Sequence, residues 1–301
     1  MIELKIGDPI PLVYQENDIQ VTILFDGNSP FTLGTKLRKA EGIYKYIQER
    51  GYSAIQLVGD PNSNFLAAFT LYFYAKKIPS FNIHISRSGY ISGNRILSER
   101  FSTKYINFTR YREEFFSEIF PEFLSYKDTL FEISQKRQVE FKIFSVPRWG
   151  ISKYSIENIQ SMINNLLYIY KINTIYIDIG SGCTYLSFLN NINLGNVKVI
   201  GVCIGLPKSK MHGYLSELEL YLFGRNSSYE LIEPIERDRF GVIRKEDLEL
   251  IDRLRDKNIY LEPIYSAKSF RRIITEEENK NKEGIFYFHQ GGLLPGINRV
   301  R

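Results

Sequence analysis

The chain has 301 residues, 44% of them hydrophobic and 24% charged, the proportions of a globular protein with room for a large core, which disfavours disorder, collagen and coiled coil. Its 39 basic and 34 acidic residues leave a formal charge of +5, but no dense basic block carries interleaved aromatics, so neither nucleic acid nor a membrane surface is an expected partner. Two cysteines, Cys183 and Cys203, are too few for a disulfide framework and point to a reducing compartment; with no export-type apolar run between Met1 and Ile10, a cytoplasmic location is expected.

In chain order, the run from Thr32 to Glu41 places Lys36 just after Gly34 and ahead of the apolar-periodic Ile43 and Ile47, at the first turn of a helix. A helix start carries the positive end of the macrodipole, which disfavours a charged ammonium, and a neutral amine is what Schiff-base chemistry with an aldehyde requires. Taken alone, the same lysine reads as a solvated side chain between basic neighbours Arg38 and Lys39.

Short β-branched or aromatic runs then alternate with amphipathic stretches. Ala54 to Val58 precedes Phe65 to Lys77, and Phe81 to Ile85 precedes Gly93 to Phe101. Ile175 to Ile179 precedes Thr184 to Asn190, and Val197 to Ile204 follows. Such alternation predicts βαβ units and an α/β fold with mostly parallel sheets flanked by helices. Tyr111 to Val139 has helical spacing, and Val146 to Gly150 breaks it. Domain edges near 51 and 150 are expected, with 1–50 and 151–301 forming a larger domain and 51–150 a smaller inserted one.

Four turns can meet a ligand. Ser63 and Asn64 stand between a strand and an apolar helix, where they serve either as an N-cap pair or as polar contacts for a bound group. Gly180-Ser181-Gly182-Cys183-Thr184 follows a strand and precedes a helix, a phosphate cradle of glycines, amides and hydroxyls, or else a tight capped turn. The segment from Asp178 to Thr184 also resembles the S-adenosylmethionine methyltransferase loop, but the next strand, Val199 to Ile204, offers no carboxylate for a ribose. Glu262 to Ser269, with Tyr265 and Ser266, and His289 to Gly296 complete the set. The histidines have no metal-ligand spacing.

In this order the segments resemble the family of 1-aminocyclopropane-1-carboxylate deaminase and D-cysteine desulfhydrase, pyridoxal-phosphate enzymes of the two-lobed tryptophan-synthase β-like fold. Gly34 to Lys39 is similar to the family's Gly-Asn-Lys-x-Arg-Lys, Ser63-Asn64 to its Ser-Asn pair, and Gly93 to Leu97 to its Gly-Asn-x-Leu-Leu. Gly180 to Thr184 is similar to its Gly-Ser-Gly-Gly-Thr loop, Tyr265 to Lys268 to Tyr-x-x-Lys, and His289 to Gly292 to His-Thr-Gly-Gly.

The resemblance implies pyridoxal 5'-phosphate as cofactor and a small amino-acid substrate. It implies Lys36 as Schiff-base lysine, Ser63 and Tyr265 at the substrate, and Asn64, Ser266 and the loop Gly180, Ser181, Gly182, Cys183 and Thr184 on the cofactor. A hydroxyl at Ser266 opposite the ring nitrogen favours β-elimination or β-replacement, and a homodimer is implied. The chain departs from the pattern at Phe65, Cys183 and Gln290, at the extra residue of Leu293-Leu294, and in lacking the usual charged segment ahead of the lysine, from Ile23 to Pro30. These departures are expected to alter the pocket wall, which leaves a catalytically silent binding protein as an alternative.

Overall fold

The computed structural model describes residues 4–85, 91–108, 141–236 and 241–293. The expectations for Tyr111 to Val139 and for Leu294, Pro295 and Gly296 lie outside these residues. Strands β1 (Ile10–Glu16) and β2 (Ile19–Phe25) open the chain, and helix α1 (Thr35–Glu49) carries the lysine segment. Next come β3 (Ala54–Gly59), α2 (Asn64–Ala75), β4 (Ser80–Ile85), α3 (Gly93–Phe101), β5 (Lys104–Phe108) and β6 (Ile143–Ser145). The second half runs α4 (Lys153–Ile169), β7 (Thr174–Ile179), α5 (Cys183–Leu189), β8 (Lys198–Cys203), α6 (Lys208–Phe223) and β9 (Glu230–Ile232). It continues with α7 (Lys245–Arg255), α8 (Ser266–Ile274) and β10 (Ile285–His289).

The strands form two sheets. One has the order β1-β2-β10-β7-β8-β9, parallel throughout except for the antiparallel β1-β2 pair; the other, β5-β4-β3-β6, is wholly parallel. The α/β architecture of mostly parallel, helix-flanked sheets read from the sequence is the one observed. The β1-β2 hairpin was not anticipated. Its turn, where Asn17 holds φ 51°, is short, and no glycine marks it.

Parallel sheets need cover on both faces, and β7 shows how the sequence provides for it. Ile175, Ile177 and Ile179 join a core with Ile159 and Ile163 of α4 and Phe188 of α5, while Tyr176 joins the opposite core with Leu254 and Phe270 of α7 and α8. Leu37, Ala40, Ile43 and Ile47 of α1 pack instead with Ile55, Leu57 and the apolar face of α2. Helix α1 also lies along α4: Ser155 Oγ donates to the Lys39 carbonyl at 3.3 Å and Asn158 to the Arg38 carbonyl at 2.9 Å. The helix bearing Lys36 therefore bridges elements of both sheets. Because β2, β10 and β7 run parallel, their carboxyl ends, at Phe25, His289 and Ile179, open on one edge.

Candidate active site

Helix α1 starts beside that edge because Asp26, buried after β2, holds it there. Arg38 pairs with Asp26 through Nη2 to Oδ1 at 2.7 Å and through Nε, and Thr35 Oγ1 donates to Oδ2 at 2.8 Å. Gly34 makes the turn possible: at φ 47° a side chain is strained, and a Cβ would stand 1.9 Å from the Asp26 carbonyl oxygen. Within the Ile23 to Pro30 segment, Asp26 is thus the charge that anchors the start of the lysine helix.

Lys36 extends into the interior while keeping partial access to the cleft, and among the described residues its Nζ has no hydrogen bond or ion pair. Burial pushes the amine down to about 7, and the Lys39 charge one turn along adds to the effect against the opposing fields of Cys183 and Asp178. The cause differs from the helix-end argument, since desolvation leads and a second lysine follows. Lys39, which the sequence reading left as a solvated neighbour, is fully buried and donates to Ser181 Oγ at 3.3 Å. Its spacing of three from Lys36 puts both on one helix face, the signal by which it could have been found.

The two lysines meet the Gly180 loop. Among the described residues, the amides of Ser181, Gly182, Cys183 and Thr184 donate no hydrogen bond, and the first bond of α5 runs from Leu186 to Gly182. The Ser181 carbonyl oxygen accepts from Tyr214 at 2.9 Å, which holds the loop from outside. The Tyr265 ring packs on Gly180, 3.0 Å from where a Cβ would stand. Four amides free of internal bonds, a serine hydroxyl and the buried Lys39 side chain make a site suited to a phosphate dianion, beside an amine whose hold on its proton is weakened by burial, as an aldehyde partner requires. The chemistry of this donor set fits pyridoxal 5'-phosphate.

The other expected residues divide. Ser63 caps α2, accepting from Leu66 N at 3.2 Å. Asn64 accepts from Asn94 Nδ2 at 2.9 Å, and its Nδ2 makes a long 3.5 Å contact with the Gly292 carbonyl. Gly292, at φ 82°, leaves no room for a Cβ, which would fall 2.4 Å from Asn64 Nδ2. The His289 to Gly292 turn therefore reaches both Asn64 and, through Thr35 N to the Gln290 carbonyl at 3.2 Å, the lysine helix.

Ser266 is buried with its hydroxyl engaged on the Glu262 backbone, donating to the carbonyl at 3.1 Å and accepting from the amide at 2.7 Å. The Glu262 carboxylate accepts from the amides of Ile264, Tyr265 and Ser266, and burial still pushes it up to about 7. The side chains of Phe65 and Cys183 are buried among apolar neighbours, with Phe65 packed edge-on against Phe69 at 4.7 Å. Asp178 and Gln290 were not named as site residues, yet both sit beside the loop. No group of three metal-ligating side chains and no helix long and apolar enough to cross a membrane occurs among the described residues.

No family model matches the chain. A Thermotoga maritima protein provisionally named 1-aminocyclopropane-1-carboxylate deaminase is 22% identical over 277 residues, 87% of this chain and 84% of its own. A crystal structure of an ACC deaminase homologue superposes with a TM-score of 0.79 at 19% identity, covering 98% of this chain and 92% of its own. A hydrogen sulfide-producing enzyme from Fusobacterium nucleatum gives 0.64 at 15%, covering 96% and 94%. A pyridoxal 5'-phosphate-dependent aspartate racemase gives 0.63 at 12%, covering 94% and 87%. The chain thus has the fold of the ACC deaminase homologue over nearly its whole length and is similar in sequence, at 22% identity, to the Thermotoga maritima protein.

Proposed function

We propose that this chain binds pyridoxal 5'-phosphate and acts on a small amino acid by α,β-elimination or β-replacement, as a desulfhydrase- or deaminase-like enzyme. The observation that carries the reading is the desolvated Lys36 amine, lowered to about 7, one helical turn from a buried lysine that reaches the Gly180 loop. The relative named for a deaminase and the fold shared with a hydrogen sulfide-producing enzyme and a pyridoxal 5'-phosphate-dependent racemase support it.

When bound, the cofactor supplies the electron sink for chemistry at the substrate Cα. With the cofactor bound, Lys39, Ser181 and the loop amides would hold its phosphate. Lys36 would present its amine to the aldehyde and take a proton from the substrate Cα at Nζ; a base titrating near 7 is well placed for that transfer. Asn64, steadied by Asn94, would contact the ring and Ser63 the substrate. Tyr265, packed on Gly180, walls the site and excludes water. Ser266 donates its proton to the Glu262 carbonyl, so its hydroxyl would not be offered to a ring nitrogen. That environment favours expulsion of a β-leaving group over ring opening.

The test is direct. The purified protein with added cofactor should show a visible absorption band that borohydride abolishes, fixing the label on the Lys36 peptide, and Lys36→Ala should lose both. A panel of D- and L-serine and cysteine derivatives should then release pyruvate, ammonia or hydrogen sulfide. A protein that stays colourless with added cofactor overturns the reading, and a coloured protein silent across the panel leaves the binding role alone. The homodimer implied by the resemblance is read by light scattering.

A further inference from the structure

Gln290 touches three parts of the site at once. Its Nε2 donates to the Asp178 carbonyl at 2.7 Å and to Asp178 Oδ2 at 3.0 Å. Its Oε1 lies 2.6 Å from Thr184 Oγ1, and its main-chain carbonyl accepts from Thr35 N at 3.2 Å. The partners fix the direction of each bond. Both Asp178 atoms are acceptors, so the amide nitrogen must face them and the amide oxygen must face Thr184. An amide oxygen only accepts, so the Thr184 hydroxyl gives its single proton to Gln290.

Asp178 is held from the other side by Tyr287, whose hydroxyl donates to Oδ1 at 2.7 Å, and is itself only 6% exposed. The whole chain of bonds, from Tyr287 through Asp178 and Gln290 to Thr184, is therefore anchored in the core and does not turn freely. A hydroxyl so committed meets a phosphate with lone pairs alone, which gives it nothing to offer a dianion.

We propose that Gln290 is a positioning residue that withdraws the Thr184 hydroxyl from phosphate binding and ties the anion loop to Asp178 and to the start of the Lys36 helix. The inference rests on the pyridoxal-phosphate reading above, and it reassigns the hydroxyl of Thr184 while leaving the Thr184 amide among the phosphate donors.

A double-mutant cycle tests it, with native protein, Thr184→Val, Gln290→Met and the double variant titrated with pyridoxal 5'-phosphate and with pyridoxal, which lacks the phosphate. The readout is the dissociation constant for pyridoxal divided by that for pyridoxal 5'-phosphate, a ratio that general loosening of the fold would not move. Thr184→Val should leave the ratio within about threefold of native while Gln290 is present. In the Gln290→Met background, where the hydroxyl is released to donate, the same change should lower the ratio about tenfold, the worth of one charge-assisted hydrogen bond.

A tenfold fall caused by Thr184→Val alone overturns the proposal, since the hydroxyl would then hold the phosphate directly. Indifference in both backgrounds overturns it as well. If Gln290→Met does not fold, by circular dichroism, the native-background arm decides. Native protein that captures neither pyridoxal nor its phosphate defeats the functional reading and this inference with it, whereas tight phosphate-dependent capture with the wrong cycle defeats the inference alone.

Discussion

Lys36 is costly to the fold that holds it. Its amine titrates near 7 in the folded protein against an ordinary 10.5, so between those values the unfolded chain binds the extra proton. The cofactor-free protein should therefore gain stability as pH rises from about 7 toward 10.5, and below 7 the full penalty applies. Lys36→Met removes the buried amine and should stabilise the cofactor-free protein at neutral pH by on the order of 2 kcal/mol, seen as a rise of several degrees in Tm and a flattened pH profile from 7 to 10. An unchanged Tm would mean that the amine is not desolvated. Asp26 works in the opposite sense. Asp26→Ala strands the Arg38 guanidinium and the Thr35 hydroxyl in the core and should cost about 3 kcal/mol in denaturant unfolding, with loss of cofactor capture because the start of α1 is no longer held.

At the level of elements, the site is assembled by turns that leave no room for side chains. The turn after β10 passes so close to the start of α2 that Gly292→Ala, with its positive φ and a Cβ on Asn64 Nδ2, should push the two elements apart. The expected result is a loss of about 2 kcal/mol in stability and at least a tenfold weaker hold on pyridoxal 5'-phosphate, measured together, with Gly51→Ala as the control of similar φ and open surroundings. These turns also explain what was legible in the sequence. Strand and helix runs such as Ala54 to Val58 and Ile175 to Ile179 announced themselves by apolar patterning, and the six segments of the resemblance by their order. Lys39, Asp26 and Gln290 did not, because each matters only through a partner far along the chain: Ser181, Arg38 and Asp178 respectively. The direction of Phe65 on α2, toward Phe69, is likewise set by the packing of the core.

For the molecule as a whole, ligand binding should be felt globally, because α1 packs with α2 and with α4 and so joins elements of both sheets. Saturation with pyridoxal 5'-phosphate at 100 times its dissociation constant should add about 2.7 kcal/mol to the unfolding free energy. Calorimetry should show one transition moving upward as a unit; two transitions, only one of them shifted, would show that α1 fails to couple the halves. The position of β10 has a further consequence for how the protein is made. Residues 285–289 lie in the middle of the larger sheet, between β2 near the beginning of the chain and β7 in its second half. A nascent chain on the ribosome carries the lysine and the anion loop long before it carries the strand that seats them side by side. On the proposed reading, capture of vitamin B6 would have to wait until the central strand has been translated and threaded between its two neighbours, so partial translation products should not sequester the vitamin.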